Sequence, residues 1–193
     1  MDVAADPKAG FQRPQYQAAK RDFATLVWPI VREWCGGGEL LDVEAGAWGS
    51  QGSRLARILD GYCGIDWLQV FSERRVARGL ASRIRYGPRV YRTFTLKSTT
   101  GDERLSELDR RRPLIEEPES GWTGSTFTVQ AHLEKDGGAV LYVCMARTRH
   151  VLVAALRGLG SEPPANRYDG SRFLAIEVDD LRNVGFPVRE WPE

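Results

Sequence analysis

Six short segments of the chain have the residue pattern of β-strands, and their number limits the fold class. Polar and apolar residues alternate, or β-branched and aromatic residues accumulate, in residues 65–71, 76–86, 90–97, 126–133, 139–145 and 173–178. This period of two is expected where one face of a strand is buried. Segments with helical spacing flank the strands. The sequence therefore predicts an α/β fold, with α+β as the alternative, built on a central mixed β-sheet flanked by helices.

Two helices are predicted from residue spacing and from their end signals. The first is expected to begin at Pro14, because the apolar residues after it recur every three to four positions. Pro29 is expected to kink this helix, and the three glycines at 36–38 are expected to end it. The second is predicted over residues 148–156, with Thr148 as its N-cap.

Composition argues against several classes of protein. The 193 residues are 42% hydrophobic and 27% charged, which is ordinary for a globular protein. No apolar run approaches the ~20 residues that span a bilayer, and the first residues lack the pattern of a signal peptide. Three widely spaced cysteines without a paired motif favour a reducing compartment, so we expect a cytoplasmic protein. We also expect a flexible N-terminus over residues 1–13 and a single α/β domain over residues 14–193.

One carboxylate stands where a strand is predicted to begin. Gly64, Ile65 and Asp66 come directly before the apolar residues of the first long strand. A side chain at the end of a sheet is held by the backbone while it stays open to solvent. Asp66 is therefore a candidate functional residue, although an aspartate after a glycine is also a common turn residue.

Here the chain resembles the PD-(D/E)XK nuclease superfamily, whose fold is called restriction-endonuclease-like. In that family an acid opens one strand of a central sheet, and a neighbouring strand carries an acid, any residue and a lysine. A glutamate from an upstream helix often joins them. Gly64-Ile65-Asp66 resembles the first element. The second is Thr95-Leu96-Lys97 or, as a weaker alternative, Arg83-Ile84-Arg85.

The resemblance implies a metal-dependent phosphodiester hydrolase that acts on DNA. Asp66, Lys97 and Glu44 are then the catalytic residues, with Glu39 as an alternative to Glu44 for the helix acid. Asp66, Glu44 and Asp60 are the ligands of Mg²⁺ or Mn²⁺, which prefer carboxylate oxygens. In this chemistry the metal activates water and a cation stabilises the charge that develops on phosphorus.

The chain departs from the family pattern at one position that matters for activity. Thr95 stands where the pattern requires a carboxylate, and the alternative at Arg83 contains no acid either. A hydroxyl does not supply the negative charge that helps to hold Mg²⁺. Either Glu44 or Asp60 completes the metal site, or the protein is an inactive nucleic-acid-binding or protein-binding module of the same fold.

Arginines cluster in two parts of the sequence although the net charge is only +1. Seven arginines and Lys97 lie in residues 74–97, against the single acid Glu73 just before them, and tyrosines and a phenylalanine are interleaved. Arginines neutralise phosphates, and aromatic rings stack on bases. Gly87-Pro88 predicts a turn between two of the strands, so we expect a cationic hairpin that holds phosphate. The alternative is a solvated hairpin whose edge charges prevent aggregation. The predicted nucleic-acid contacts are Arg83, Arg85, Arg89, Arg92, Arg147 and Arg149.

The predicted partner is DNA, and the sequence leaves RNA open. A homodimer or a protein partner also stays open, because the six tryptophans include candidate interface residues. The sequence does not distinguish the nuclease from the inactive binding module.

Overall fold

The fold has three layers, with a six-stranded sheet between a helical layer and a layer of strands and helices. The computed structural model describes residues 14–44, 58–60, 63–99, 105–117, 124–135, 137–163, 165 and 170–192. The predicted flexible segment 1–13 lies outside them. The helices are α1 (Pro14–Asp22), α2 (Trp28–Trp34), α3 (Glu107–Arg111), α4 (Pro113–Glu116), α5 (Thr148–Leu156) and α6 (Val178–Asn183). The strands are β1 (Glu39–Asp42), β2 (Trp67–Phe71), β3 (Val76–Tyr86), β4 (Thr93–Thr99), β5 (Phe127–Leu133), β6 (Val140–Arg147), β7 (Arg172–Glu177) and β8 (Val188–Trp191).

The first helical segment runs from Pro14 to Trp34 and changes its hydrogen-bond pattern in the middle. A π-helical turn at Phe23–Val27 joins α1 to α2, and Pro29 stands in the first turn of α2. Proline cannot donate its backbone nitrogen to the preceding turn, so the irregularity lies just before it. Three glycines with positive φ, at positions 36–38, follow the helix and end it as predicted.

The large sheet is mixed, as predicted. Its strand order is β1-β2-β3-β5-β6-β8, and every pair is antiparallel except β3 with β5. One row of the register runs through Trp67, Leu80, Phe127 and Arg147. The sequence predicts 173–178 as the last strand, whereas the structure has one more strand after it, β8.

A separate antiparallel ribbon of β4 and β7 packs over one face of this sheet. The sequence predicts a cationic hairpin in which β3 turns back into β4, and this prediction is wrong. Both edges of β3 are already occupied, by β2 and by β5, so the chain after Gly87 leaves the sheet. Residues of β3 and β4 therefore meet across layers rather than side by side.

Two apolar clusters hold the layers together, one on each face of the large sheet. The helical layer packs Phe23, Val27 and Val31 against Trp67 and Val129. The second cluster lies between the sheet, the β4–β7 ribbon and α5 and α6, and includes Phe94, Leu96, Cys144, Leu152, Ile176 and Leu181. Among the described residues, no helix is long and apolar enough to cross a membrane.

Candidate functional site

A cleft of about 230 Å³ opens at the start of β2, between the large sheet and the β4–β7 ribbon. Its lining is strongly charged and contains acids and bases together. The acids are Asp60, Asp66 and Glu107, and the bases are Arg83, Lys97, Arg110 and Arg111. The structure therefore brings four of the predicted site residues, Asp60, Asp66, Arg83 and Lys97, to one cleft.

Asp66 is fixed at the head of β2 by backbone hydrogen bonds. Its backbone nitrogen donates to the carbonyl of Leu80 at 2.9 Å, and its carbonyl accepts from the nitrogen of Val43 at 3.2 Å. Its carboxylate oxygen Oδ2 accepts from the backbone nitrogen of Ser82 at 2.5 Å and from the Ser82 hydroxyl at 3.2 Å. The carboxylate is therefore oriented by β3, the strand beside it.

Asp60 and Asp66 form a pair of carboxyl groups joined by a side-chain hydrogen bond. Burial, together with the charges of Asp66 and Glu44, raises the pKa of Asp60 to about 7. Burial also raises the pKa of Asp66, although the hydrogen bonds from Ser82 oppose that rise. Two carboxylates in contact repel each other, so one of the two groups stays protonated more readily. Here Asp60 is the group that keeps the proton.

Glu44 lies beside this pair but on a different element from the one predicted. The expectation that it belongs to a helix is wrong, because it follows strand β1 directly. Its carboxylate pairs with the Lys20 ammonium at 2.5 Å, and Lys20 also pairs with Asp42 at 2.5 Å. The other Glu44 oxygen, Oε1, is shielded from solvent and has no hydrogen-bond partner among the described residues.

The alternative acid, Glu39, lies too far along the sheet to join the pair. It is exposed and pairs in register with Val70, whereas Asp66 precedes the opposite end of β2. Of the two candidates for the upstream acid, Glu44 alone stands near Asp60.

Sequence reasoning missed the ion network on the other side of the cleft. Glu107, the first residue of α3, accepts from Arg83 at 2.7 Å and pairs with Arg111 at 3.0 Å. It also accepts from the backbone nitrogen of Lys97 at 3.1 Å. Burial alone would raise the pKa of Glu107, but the two guanidinium groups hold it below its ordinary value. The available signal was the capping box of Ser106 and Asp109, which fixes where α3 begins.

The second family element does not have its expected place in the sheet. Thr95 and Lys97 lie on β4, which pairs with β7 and not with β2. The hydroxyl of Thr95 is buried and donates to Oε1 of Gln130 at 3.2 Å. The neighbours of β2 are β1 and β3. The weaker alternative at Arg83 lies on β3, which contains no acid. Lys97 still lines the cleft, which it reaches from the layer above.

The arginines predicted to bind nucleic acid do not form one surface. Arg85 lies over the ring of Tyr91 at 5.7 Å, and Arg89 is exposed in the loop after β3. Arg92 pairs instead with Glu190 at 2.8 Å and with Asp179 at 3.3 Å. A different cleft holds Arg147 and Arg149. Thr148 is not the N-cap of α5, because Arg147 takes that position and the Thr148 side chain is buried against Ser125 and Thr128.

The acids of the first cleft supply a small set of oxygen donors. Within the described ranges, no group of three or more His, Cys, Asp or Glu residues is placed to hold a metal ion. Asp60 and Asp66 are two carboxylates in contact, and the shielded Oε1 of Glu44 lacks a partner nearby. Such donors fit Mg²⁺ or Mn²⁺, which bind a few carboxylate oxygens and keep several waters.

Comparisons with protein-family models, curated proteins and solved structures found no significant match. Inference about function therefore depends on the chemistry of the cleft itself.

Proposed function

We propose that this protein is a metal-dependent nuclease that hydrolyses phosphodiester bonds of DNA in the cleft at the start of β2. One observation carries the proposal. The Asp60–Asp66 carboxyl pair, with its raised pKa values, lies in a cleft that also contains Lys97 and Arg83. Titratable groups with strongly shifted pKa values in a cleft are typical of functional sites. The family resemblance of the sequence around Asp66 supports the same reaction.

Each side chain in the cleft has a role that its position suits. Asp60 and Asp66 would hold Mg²⁺ or Mn²⁺, which supplies activation of water and polarisation of the phosphoryl oxygen. Ser82 fixes the orientation of Asp66 through two hydrogen bonds. Lys97 and Arg110 present positive charge to the phosphate from the opposite wall. Arg83 is paired with Glu107, so it shapes the cleft more than it binds the substrate.

Thr95 favours a second function, an inactive module that binds nucleic acid or protein. Thr95 lines the cleft, but its hydroxyl donates to Gln130 and supplies none of the negative charge that a carboxylate would bring to a metal. The site then depends on two close carboxylates, with the Glu44 carboxylate held by Lys20. A protein of this kind would bind DNA and leave it uncut.

A nicking assay on supercoiled plasmid with Mg²⁺ or Mn²⁺ tests the nuclease. We expect wild-type protein to nick the plasmid and Asp66→Asn to lose at least a hundredfold in rate, since this change removes a charged ligand. The matched control is Glu177→Gln, which alters an exposed carboxylate outside the cleft and should leave the rate unchanged.

A thermal unfolding measurement distinguishes a folded but inactive variant from an unfolded one. Mg²⁺ should raise the midpoint of thermal unfolding of wild-type protein, because a ligand that binds only the folded state stabilises it. Asp60→Asn and Asp66→Asn should each lose this response. Wild-type protein that neither nicks DNA nor responds to either metal, yet binds DNA, would favour the inactive module.

The proposal includes a cytoplasmic location. Cys35, Cys63 and Cys144 are all free thiols, which is typical of proteins in a reducing compartment.

A further inference from the structure

A second cleft, lined by arginines, lies along the outer face of α5. Its lining includes Arg147, Arg149, His150, Arg157 and Phe186. Arg149, Val153 and Arg157 are spaced by four residues, so they follow one face of the helix. The His150 ring stacks on Phe186 at 4.4 Å with an angle of 11° and closes one side of the cleft.

The guanidinium groups of this second cleft are not neutralised. Arg147, Arg149 and Arg157 are exposed and form no ion pair with an acid among the described residues. The described residues that line the cleft include no acid. Some other exposed arginines do pair with carboxylates, as Arg92 does with Glu190 and Arg112 with Glu116.

We propose that Arg147, Arg149 and Arg157 form a phosphate-binding surface for a nucleic-acid duplex, separate from the cleft of Asp60 and Asp66. Arginine presents a planar fork of donors that matches phosphate oxygens, and unpaired arginines lose no internal partner when they bind. Arg149 and Arg157 on one helix face, with Arg147 at the start of the helix, contact backbone phosphates and do not need to read bases.

The register of the large sheet gives the separation of the two surfaces. Trp67, next to Asp66, and Arg147 lie on one row with two strands between them. Three strand spacings of ~4.8 Å separate their backbones by about 14 Å. Phosphates of one DNA strand advance ~3.4 Å along the axis per nucleotide, so the second surface reaches a phosphate about four base pairs from the first cleft. This distance rests on the proposed function, because the position of the cut marks where the first cleft lies on the DNA.

The binding test uses a fluorescently labelled 20-base-pair duplex, fluorescence anisotropy, EDTA and a series of NaCl concentrations. The variant is Arg149→Gln/Arg157→Gln, which leaves the N-cap residue Arg147 in place. The matched control is Arg32→Gln/Arg74→Gln, which makes the same change in net charge at exposed positions near the other end of β2.

We expect the variant to bind more weakly than wild type and to show a smaller salt dependence. The slope of log K against log [NaCl] should fall by about 2, because each lost phosphate contact removes ~0.9 from it. The control should keep the wild-type slope. A variant with the wild-type affinity and slope, or a control that changes as much as the variant, would overturn the proposal.

This result is independent of cleavage, because no metal is present. If wild-type protein never nicks DNA but the slope falls as expected, the nuclease proposal fails and the arginine surface stands. If the protein nicks DNA and the slope does not change, the phosphate-binding surface is refuted and the nuclease proposal stands. For the reach, which is measured to Arg147, a neutral methylphosphonate about four base pairs from the cut should weaken binding by wild type but not by Arg147→Gln, a change that removes no capping hydrogen bond. Equal weakening of both proteins would refute the reach.

Discussion

Replacing Asp60 with asparagine should stabilise the protein above neutral pH. In the unfolded chain an aspartate has a pKa of about 3.8, whereas burial and the charge of Asp66 raise the pKa of Asp60 to about 7 in the folded protein. The folded state therefore binds the proton more tightly, and its stability falls as pH rises from about 4 to about 7. Asparagine cannot ionise, so Asp60→Asn is free of this loss.

The size of the effect follows from the difference between the two pKa values. About three units separate them, and one unit corresponds to ~1.4 kcal/mol, so the full gain is about 4 kcal/mol above pH 7. This is an upper value, because Asp60 and Asp66 titrate as a pair and share the loss. The gain should be small near pH 4, where the wild-type group is protonated in the folded protein.

Equilibrium urea unfolding in EDTA at several pH values between 4 and 8 measures the gain. With a slope of ~2 kcal/mol per molar urea, 4 kcal/mol moves the midpoint at pH 8 upward by about 2 M. Glu177→Gln serves as the control, with an exposed carboxylate and no expected change. A constant difference across this pH range, or a lower midpoint at pH 8, would refute the account of the carboxyl pair.

Three further substitutions test how individual charges stabilise the fold. Lys20→Met should destabilise the protein by about 3–5 kcal/mol in urea unfolding, because Asp42 and Glu44, each less than a fifth exposed, lose their cation. Arg112→Met breaks an exposed pair and should cost no more than ~0.5 kcal/mol, so equal losses would contradict this reasoning. Asp109→Asn should cost no more than ~0.5 kcal/mol at pH 7, because the hydrogen bonds from the N-cap serine lower the pKa of Asp109 but solvent screens this exposed carboxylate. That contribution is present above the ordinary pKa of aspartate and is lost as pH falls below it, so an equal cost at pH 3 and pH 7 would contradict the cap.

The fold class and most elements could be predicted from residue periodicity. The alternation in residues 76–86 corresponds to β3, the apolar run after Gly138 corresponds to β6, and the helix predicted over residues 148–156 corresponds to α5. Each of these segments carries its signal locally, in the spacing of its own apolar residues.

Strand pairing could not be predicted from local pattern. β3 and β4 are adjacent in sequence with a turn between them, which favours a hairpin, yet β3 pairs with β5 across more than 40 residues. That choice depends on burial of the two faces of β3 against different layers. The position of Lys97 opposite Asp66, rather than beside it, follows from the same pairing.

Within the candidate site, Asp66 could be singled out from the sequence, but the ion pairs around it could not. Asp66 could be found because a glycine, an apolar residue and an acid precede a strand. The role of Glu107 could not, because its contact with Arg83 joins a helix and a strand that are distant in sequence. Ion pairs between residues that are distant in sequence produce no periodic pattern in that sequence.

The lengths of the outermost strands limit how the protein can associate with itself. β1 and β8 close the two sides of the large sheet, and each contains four residues, whereas β3 inside it contains eleven. A second copy that extended the sheet would find only a short row of free backbone groups on either side. Self-association by this route is therefore weak, and a dimer would form through side-chain surfaces rather than through a continuous sheet.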